Sequence, residues 1–307
     1  MSLLALILAL LLEQFYPLGS RNRVFLLFTR LANVIERKFN AGEYAHGVVG
    51  WCLAVLPLCA LTWLIYAGLA HYVHRLAGWL WCVAVLYLTM GFRHFSSAFS
   101  GISEALQNDD LPKARELLAQ WTGQATSEMT TSEVSKVAIE QGLMDSHRFV
   151  FGTIFWFMVL PGPMGAVLYR LSTRLYDKWG SMRIPGDAAF GRFAVQVYEW
   201  LDWIPVRLTA TSFAIVGDFE DAVYCWRSQA ANWANYAYGI LLASGAGAIG
   251  VRLGDPVHQD HTVKYRPELG LGDDADPNYL KSAVGLIWRT VVLWLVVILL
   301  IWLSSRV

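Results

Sequence analysis

Within Leu201-Asp202-Trp203-Ile204-Pro205-Val206-Arg207-Leu208 an acid, a proline and an arginine lie close together in a strongly apolar, aromatic neighbourhood. Charges in such surroundings are costly and usually functional, although they often pair with each other. Pro is favoured at a helix start, where free amide groups attract anions. Asp202, Pro205 and Arg207 therefore suit an anionic ligand, and a structural ion pair closing a helix joint explains them equally well. Residues 244–254 place small residues before Arg252, so that a phosphate or a second backbone can come close. The Lys-Ser/Thr of a P-loop is missing and no strand precedes the run, as a dinucleotide fingerprint would need. Tight packing of small helix faces accounts for it as well.

The remaining candidates carry less. Glu104, Asp109, Asp110, Glu116, Glu133, Glu140 and Asp145 read mostly as solvated helix faces. His94, His147, His258 and His261 lack HExxH spacing, and Cys52, Cys59, Cys82 and Cys225 lack CxxC spacing. No metal centre, disulfide framework or catalytic nucleophile is read from them. The catalytic residues stay unassigned.

The solvent around these residues is expected to be lipid. The chain is 56% hydrophobic and 16% charged, with 14 Trp and zero formal net charge, against ~25% charged in soluble domains; its mean hydropathy is +0.41. Without a basic face, nucleic acid is excluded as a partner. A homo-oligomer is among the assemblies this chain allows.

The elements that must position the candidates read as all-α: polytopic membrane helices with re-entrant or broken helices and a cytoplasmic helical insertion. Residues 47–73, 76–92 and 283–303 have the length and apolarity of spans. Residues 1–12 read as a short retained span, since a basic n-region and a cleavage site are missing. Pro161-Gly162-Pro163 and Gly165 interrupt the run 149–168, which predicts a re-entrant or broken helix. Stretches 193–216 and 230–251 carry Gly, Ser, Thr and a few charges, and read as buried in protein.

Arg21, Arg23, Arg30, Arg37 and Lys38 lie between the first two spans, whereas the next turn has Arg75 alone. The positive-inside rule puts that turn outside, segments 93–148 and 170–192 in the cytoplasm, and the amino terminus in the periplasm. The expected location is the bacterial inner membrane, crossed several times. Phe95, Phe99, Ile102 and Leu106 share one helix face. Asp109 or Asp110 caps a helix over 113–121 with Pro112 near its first turn, and Thr131-Ser132-Glu133 opens another. Residues 255–278 read as a polar loop, and residues 1–307 as a single membrane domain.

These residues resemble the superfamily of inner-membrane proteins that includes CobD/CbiB, the adenosylcobinamide-phosphate synthases, and AmpE, a protein linked to β-lactamase regulation. Residues 201–208 are similar to the AmpE segment Leu-Asp-Trp-Val-Pro-Val-Arg-Leu and to the Asn-x-Ile-Pro-Ala-Arg-Leu of CobD/CbiB. Asp145 to Trp156 also looks AmpE-like, whereas 161–170 and 247–254 resemble CobD/CbiB. The resemblance implies ATP-dependent joining of an aminoalcohol phosphate to a corrinoid carboxyl group, with acids for magnesium and cations for phosphate.

The chain departs from the pattern at those acids. Glu13-Gln14-Phe15-Tyr16-Pro17-Leu18-Gly19 replaces an Asp and a Gly-Asp-Pro, and Gln124-Ala125-Thr126 replaces Arg-Asp-Thr. Met144-Asp145 falls where Glu-Asn is expected, and Thr173-Arg174-Leu175-Tyr176 near an Asn-Thr-Leu-Asp. Magnesium prefers carboxylate oxygens. The expectation is therefore a diverged, non-catalytic binding or signalling homologue, AmpE-like and linked to the envelope. Asp202, Pro205, Arg207, Arg252 and Arg170 would form its cytoplasm-facing site for an anionic or phosphate-bearing small ligand, bordered by Glu140 and Asp145. The alternative is a cobalamin-pathway amide ligase in which Glu13, Glu140, Asp145 and Glu199 supply the acids; magnesium and ATP enter only then. Transport is suggested by the broken helix alone.

Overall fold

The computed structural model describes residues 2–15, 23–180, 185–259 and 262–304. In chain order the helices are α1 (Ser2–Phe15), α2 (Arg23–Phe39), α3 (Tyr44–Gly68), α4 (Arg75–Thr89), α5 (Phe92–Gln107), α6 (Leu111–Thr122), α7 (Thr131–Ser146), α8 (Gly152–Val159), α9 (Met164–Trp179), α10 (Pro185–Val216), α11 (Phe219–Gln229), α12 (Tyr236–Ile249) and α13 (Pro277–Ser304). Among the described residues the fold is all-α apart from four strands of two or three residues. β1 (Val251–Arg252) pairs in parallel with β4 (Asp273–Asp274), and β2 (Val257–Gln259) pairs antiparallel with β3 (Thr262–Lys264). The stretch 255–278, expected to be a loop, thus contains strands too short for an alternating pattern to reveal.

Among the described residues two helices are long and apolar enough to cross a membrane: Tyr44–Val73, which is α3 continued through a π-helical turn (Leu69–Val73), and Pro277–Ser304. They match two of the expected spans. Helices α1, α4 and α12 are apolar but shorter, so the expected 76–92 span is realised as the 15 residues of α4.

Contacts divide the chain into two compact units, each discontinuous in sequence: residues 1–94 with 148–204, and residues 95–147 with 205–307. In the first, Phe28, Ala32 and Ile35 at helical spacing on α2 pack with Trp51 and Val55 of α3, Leu175 of α9 and Phe190 of α10. Against a helix solvated by lipid, such contacts stabilise through van der Waals fit rather than through removal from water. The expected break is present: α8 ends at Val159, Gly162 takes a left-handed φ of 65°, and α9 begins at Met164.

In the second unit, Asp110 caps α6 through the Lys113 amide at 3.1 Å, with Pro112 in the first turn. Thr130 and Glu133 form a reciprocal capping box on α7. Both starts agree with the sequence. Phe99, Ile102 and Leu106 of α5 are buried as their spacing predicts. The small residues of α12 serve packing: a side chain at Gly245 would meet Leu143, and one at Gly247 would meet the Asp221 backbone.

Helix α10 corrects two expectations. Pro205 neither starts a helix nor closes a joint; it lies inside 32 continuous helical residues. Proline has no N–H for the Leu201 carbonyl four residues earlier, and the Trp156 indole N–H donates to that oxygen instead, at 3.0 Å. The helix also exposes Trp200, Trp203, Ile204, Leu208 and Ile215, so this stretch is only partly buried in protein.

Candidate functional site

Of the expected ligand-binding residues, Arg170 and Asp202 belong to the first unit, and Pro205, Arg207, Arg252, Glu140 and Asp145 to the second. In the first, Asp202 is buried on α10 and accepts from the Tyr169 hydroxyl at 2.7 Å. Room for the Tyr169 ring exists because residue 152 is Gly; a Cβ there would collide with it. The Tyr176 and Tyr198 rings stack with centroids 4.5 Å apart, and Arg148 lies over both while pairing with Asp177. Arg170 of α9 is buried, its guanidinium 4.1 Å from the Phe149 ring centroid and 5.4 Å from that of Phe25. Flat, delocalised guanidinium favours such stacking. Asp202 is thus bonded by the residue that precedes Arg170 on α9.

The second unit holds a charged cluster that sequence reading missed. Glu133, Lys136 and Glu140 recur at i, i+3 and i+7 on α7, one helix face. All three are buried, which overturns the expectation of solvated acids for Glu133 and Glu140; Asp145 is buried too. Residues 251–274 supply the partners. Lys136 Nζ reaches Asp255 at 2.6 Å and Asp274 at 3.4 Å. Glu140 accepts from the Gly254 amide at 2.9 Å and from Arg266. Arg266 also donates to the carbonyls of Asp255 at 3.2 Å and Gly254 at 2.9 Å. A four-donor set surrounds Glu133: the amide and hydroxyl of Thr130, and the amide and Nδ1 of His258.

The electrostatics follow from these contacts. Burial alone would raise the Glu133 carboxyl, but the hydrogen bonds from Thr130 and His258 outweigh it and bring it down to about 2. At Glu140 burial wins and lifts the carboxyl above its usual range, opposed by Arg266, the Gly254 amide and Lys136. Arg252 is the more open cation: its side chain is 40% exposed and bonds Asp274 at 2.9 Å, with Glu268 at 3.8 Å.

The path of 251–274 over α7 is fixed by backbone chemistry. Gly254 has φ 74°, and a Cβ there would collide with the Pro267 carbonyl; Gly270 and Gly272 are equally restricted, against Val251 and Gly250. Gln229 pins Gly270 through both its amide and its carbonyl. Spacing on α7 was a legible signal for the charged face. The facing residues lie more than a hundred positions away, and Asp255, His258 and Arg266 carried no motif.

Asp145 accepts from the Trp121 indole at 2.9 Å and from Gln141 at 2.9 Å. Arg207 is half-buried on α10. His147 is buried against the Thr209 hydroxyl at 3.0 Å. The side chain of His94, together with His261, Arg21 and residues 16–19, lies outside the described residues. Among the described residues no three His, Cys, Asp or Glu side chains converge as metal ligands.

Comparison with known proteins now bears on this geometry. The family model described as CobD/Cbib protein matches residues 4–287. A protein named cobalamin biosynthesis protein CobD from Stutzerimonas stutzeri is 37% identical over 302 residues, covering 96% of each chain. One of the same name from Chromobacterium violaceum is 36% identical over 212 residues, covering 69% of this chain and 67% of its own. Another from Mycobacterium tuberculosis is 27% identical over 283 residues, 89% and 87%. No solved structure matches. With a family model spanning nearly all of the sequence and a relative of this similarity along its whole length, the chain belongs to the CobD/CbiB family.

Proposed function

We propose that this chain is a multi-pass inner-membrane enzyme of cobalamin biosynthesis that forms, with ATP, an amide bond between adenosylcobyric acid and an aminoalcohol phosphate. The observation that carries this reading is the 37% identity, over 96% of both chains, to a protein named for cobalamin biosynthesis. An AmpE-like signalling role has no comparable support. A free carboxylate is a poor acceptor for an amine, and ATP would supply its activation. The aminoalcohol phosphate calls for a cation, and Arg252 suits it best: its guanidinium is partly open, and its Nε is buried without a hydrogen-bond partner.

Magnesium is implied with the nucleotide, but the acids facing α7 and on it do not fit it as they stand. Glu133 and Glu140 have both carboxylate oxygens engaged by protein donors, and Asp255 and Asp274 are committed to Lys136. A second, non-catalytic reading is favoured by one observation, the replacement of family acids by Ala125, Met144 and Tyr176.

Complementation separates the two readings. In a strain lacking its adenosylcobinamide-phosphate synthase, this chain is expected to restore cobalamin-dependent growth, and Arg252→Ala to reduce it. Absence of growth despite normal membrane levels of the protein would favour the non-catalytic reading.

A further inference from the structure

The first unit contains a cavity of about 680 Å³ that the proposed chemistry does not use. Its walls are α1, the end of α3 with the π-helical turn, the start of α4, and the end of α8 up to Gly162. Small side chains make the room: Ala5, Ala67 and Ala70 line it where larger residues would fill it. The π-helical turn places His71 on the same opening as Arg75, the first residue of α4. Such turns within α-helices often mark functional sites.

The charge of this cavity has one sign. Among the described residues His71 and Arg75 are its ionisable basic groups, and no acid lines it. Neither forms an ion pair among the described residues. The positive end of the α4 dipole lies beside them. Deeper in, Tyr66, Trp79 and Phe157 present aromatic surface. A cationic mouth over an aromatic interior matches an anionic head joined to an apolar body. His71 lies in the last turn of the candidate span Tyr44–Val73 and Arg75 lies just beyond it, the position on a helix where phospholipid headgroups are found.

We propose that this cavity binds the phosphate of an anionic amphiphile, with Arg75 pairing the phosphate and Tyr66 and Trp79 flanking the apolar portion. The phosphate can come from a lipid headgroup or from a soluble phosphate, and the two sources are separable. The purified full chain in neutral detergent is titrated with dioleoylphosphatidylglycerol or dioleoylphosphatidylcholine and read by native mass spectrometry. Inorganic phosphate is tested by thermal shift.

The expected result is tighter binding of phosphatidylglycerol than of phosphatidylcholine, weakened about tenfold by Arg75→Ala and largely kept by Arg75→Lys. Ala67→Trp, which fills the cavity, should also weaken it. A thermal shift with inorganic phosphate alone, lost in Arg75→Ala, assigns the soluble source and supports the same site. Binding of both probes unchanged by Arg75→Ala overturns the proposal, as does equal affinity for the two lipids with no phosphate response. Arg75 is exposed, so this variant folds independently of the outcome. Cobalamin-dependent growth is a separate readout, so failure here leaves the ligase reading standing.

Discussion

Glu133 shows how one side chain couples the local fold to pH. Its carboxyl titrates near 4.5 when unfolded and near 2 when folded, so the stability it supplies is complete above about pH 4.5 and is lost as pH falls towards 2. Glu133→Gln should flatten that acid limb in a thermal melt run between about pH 5 and pH 2. It should also cost about 1–3 kcal/mol near neutrality, because an amide NH₂ faces donors. Superimposable pH profiles would contradict a native carboxylate here. Arg266 makes the complementary case. Arg266→Met strands the buried Glu140 and should cost about 3–5 kcal/mol, and adding Glu140→Leu should recover much of the loss. Denaturation midpoints of the two variants check the pairing.

Among elements, α10 gives the sharpest test, because its proline is tolerated only through a substitute donor. Trp156→Phe removes the N–H that satisfies the Leu201 carbonyl and should destabilise by about 1 kcal/mol or more. In a Pro205→Ala background the helix regains its own donor, and the same change should cost less. A double-mutant cycle with no coupling would contradict this arrangement. The clip of 251–274 over α7 is tested by Gly254→Ala, whose Cβ meets the Pro267 carbonyl and whose φ is 74°. A drop in melting temperature larger than that for Gly250→Ala, which has open space, is the expected outcome. How legible these elements were depended on range. The Asp110 and Thr130 caps, the break at Pro161 to Pro163, and the spans 47–73 and 283–303 are written in neighbouring residues. The Pro205 helix and the strands of 251–274 depend on Trp156 and on α7, partners that no local pattern names.

At the scale of the molecule, the Lys and Arg distribution sets an orientation that remains a proposal, and it is directly measurable. In a chain freed of Cys52, Cys59, Cys82 and Cys225, Tyr72→Cys should react with an impermeant thiol reagent from the periplasmic side, and Asp109→Cys only after the membrane is opened. The reverse pattern would invert the topology. Sequence reading went furthest for the family, whose motifs at 161–170, 201–208 and 247–254 are local. For the site it names Glu140, Asp145 and Arg252 but not Lys136 or Arg266, because the charged cluster around Glu140 is assembled from residues distant in the chain. The purified full chain is mixed with adenosylcobyric acid, an aminoalcohol phosphate, ATP and magnesium, and the products are resolved by mass. The account predicts a product whose mass equals the two substrates joined with loss of one water, formed only when ATP is present. A folded, membrane-extracted protein that yields no such product, while a CobD/CbiB enzyme does so under the same conditions, would contradict it.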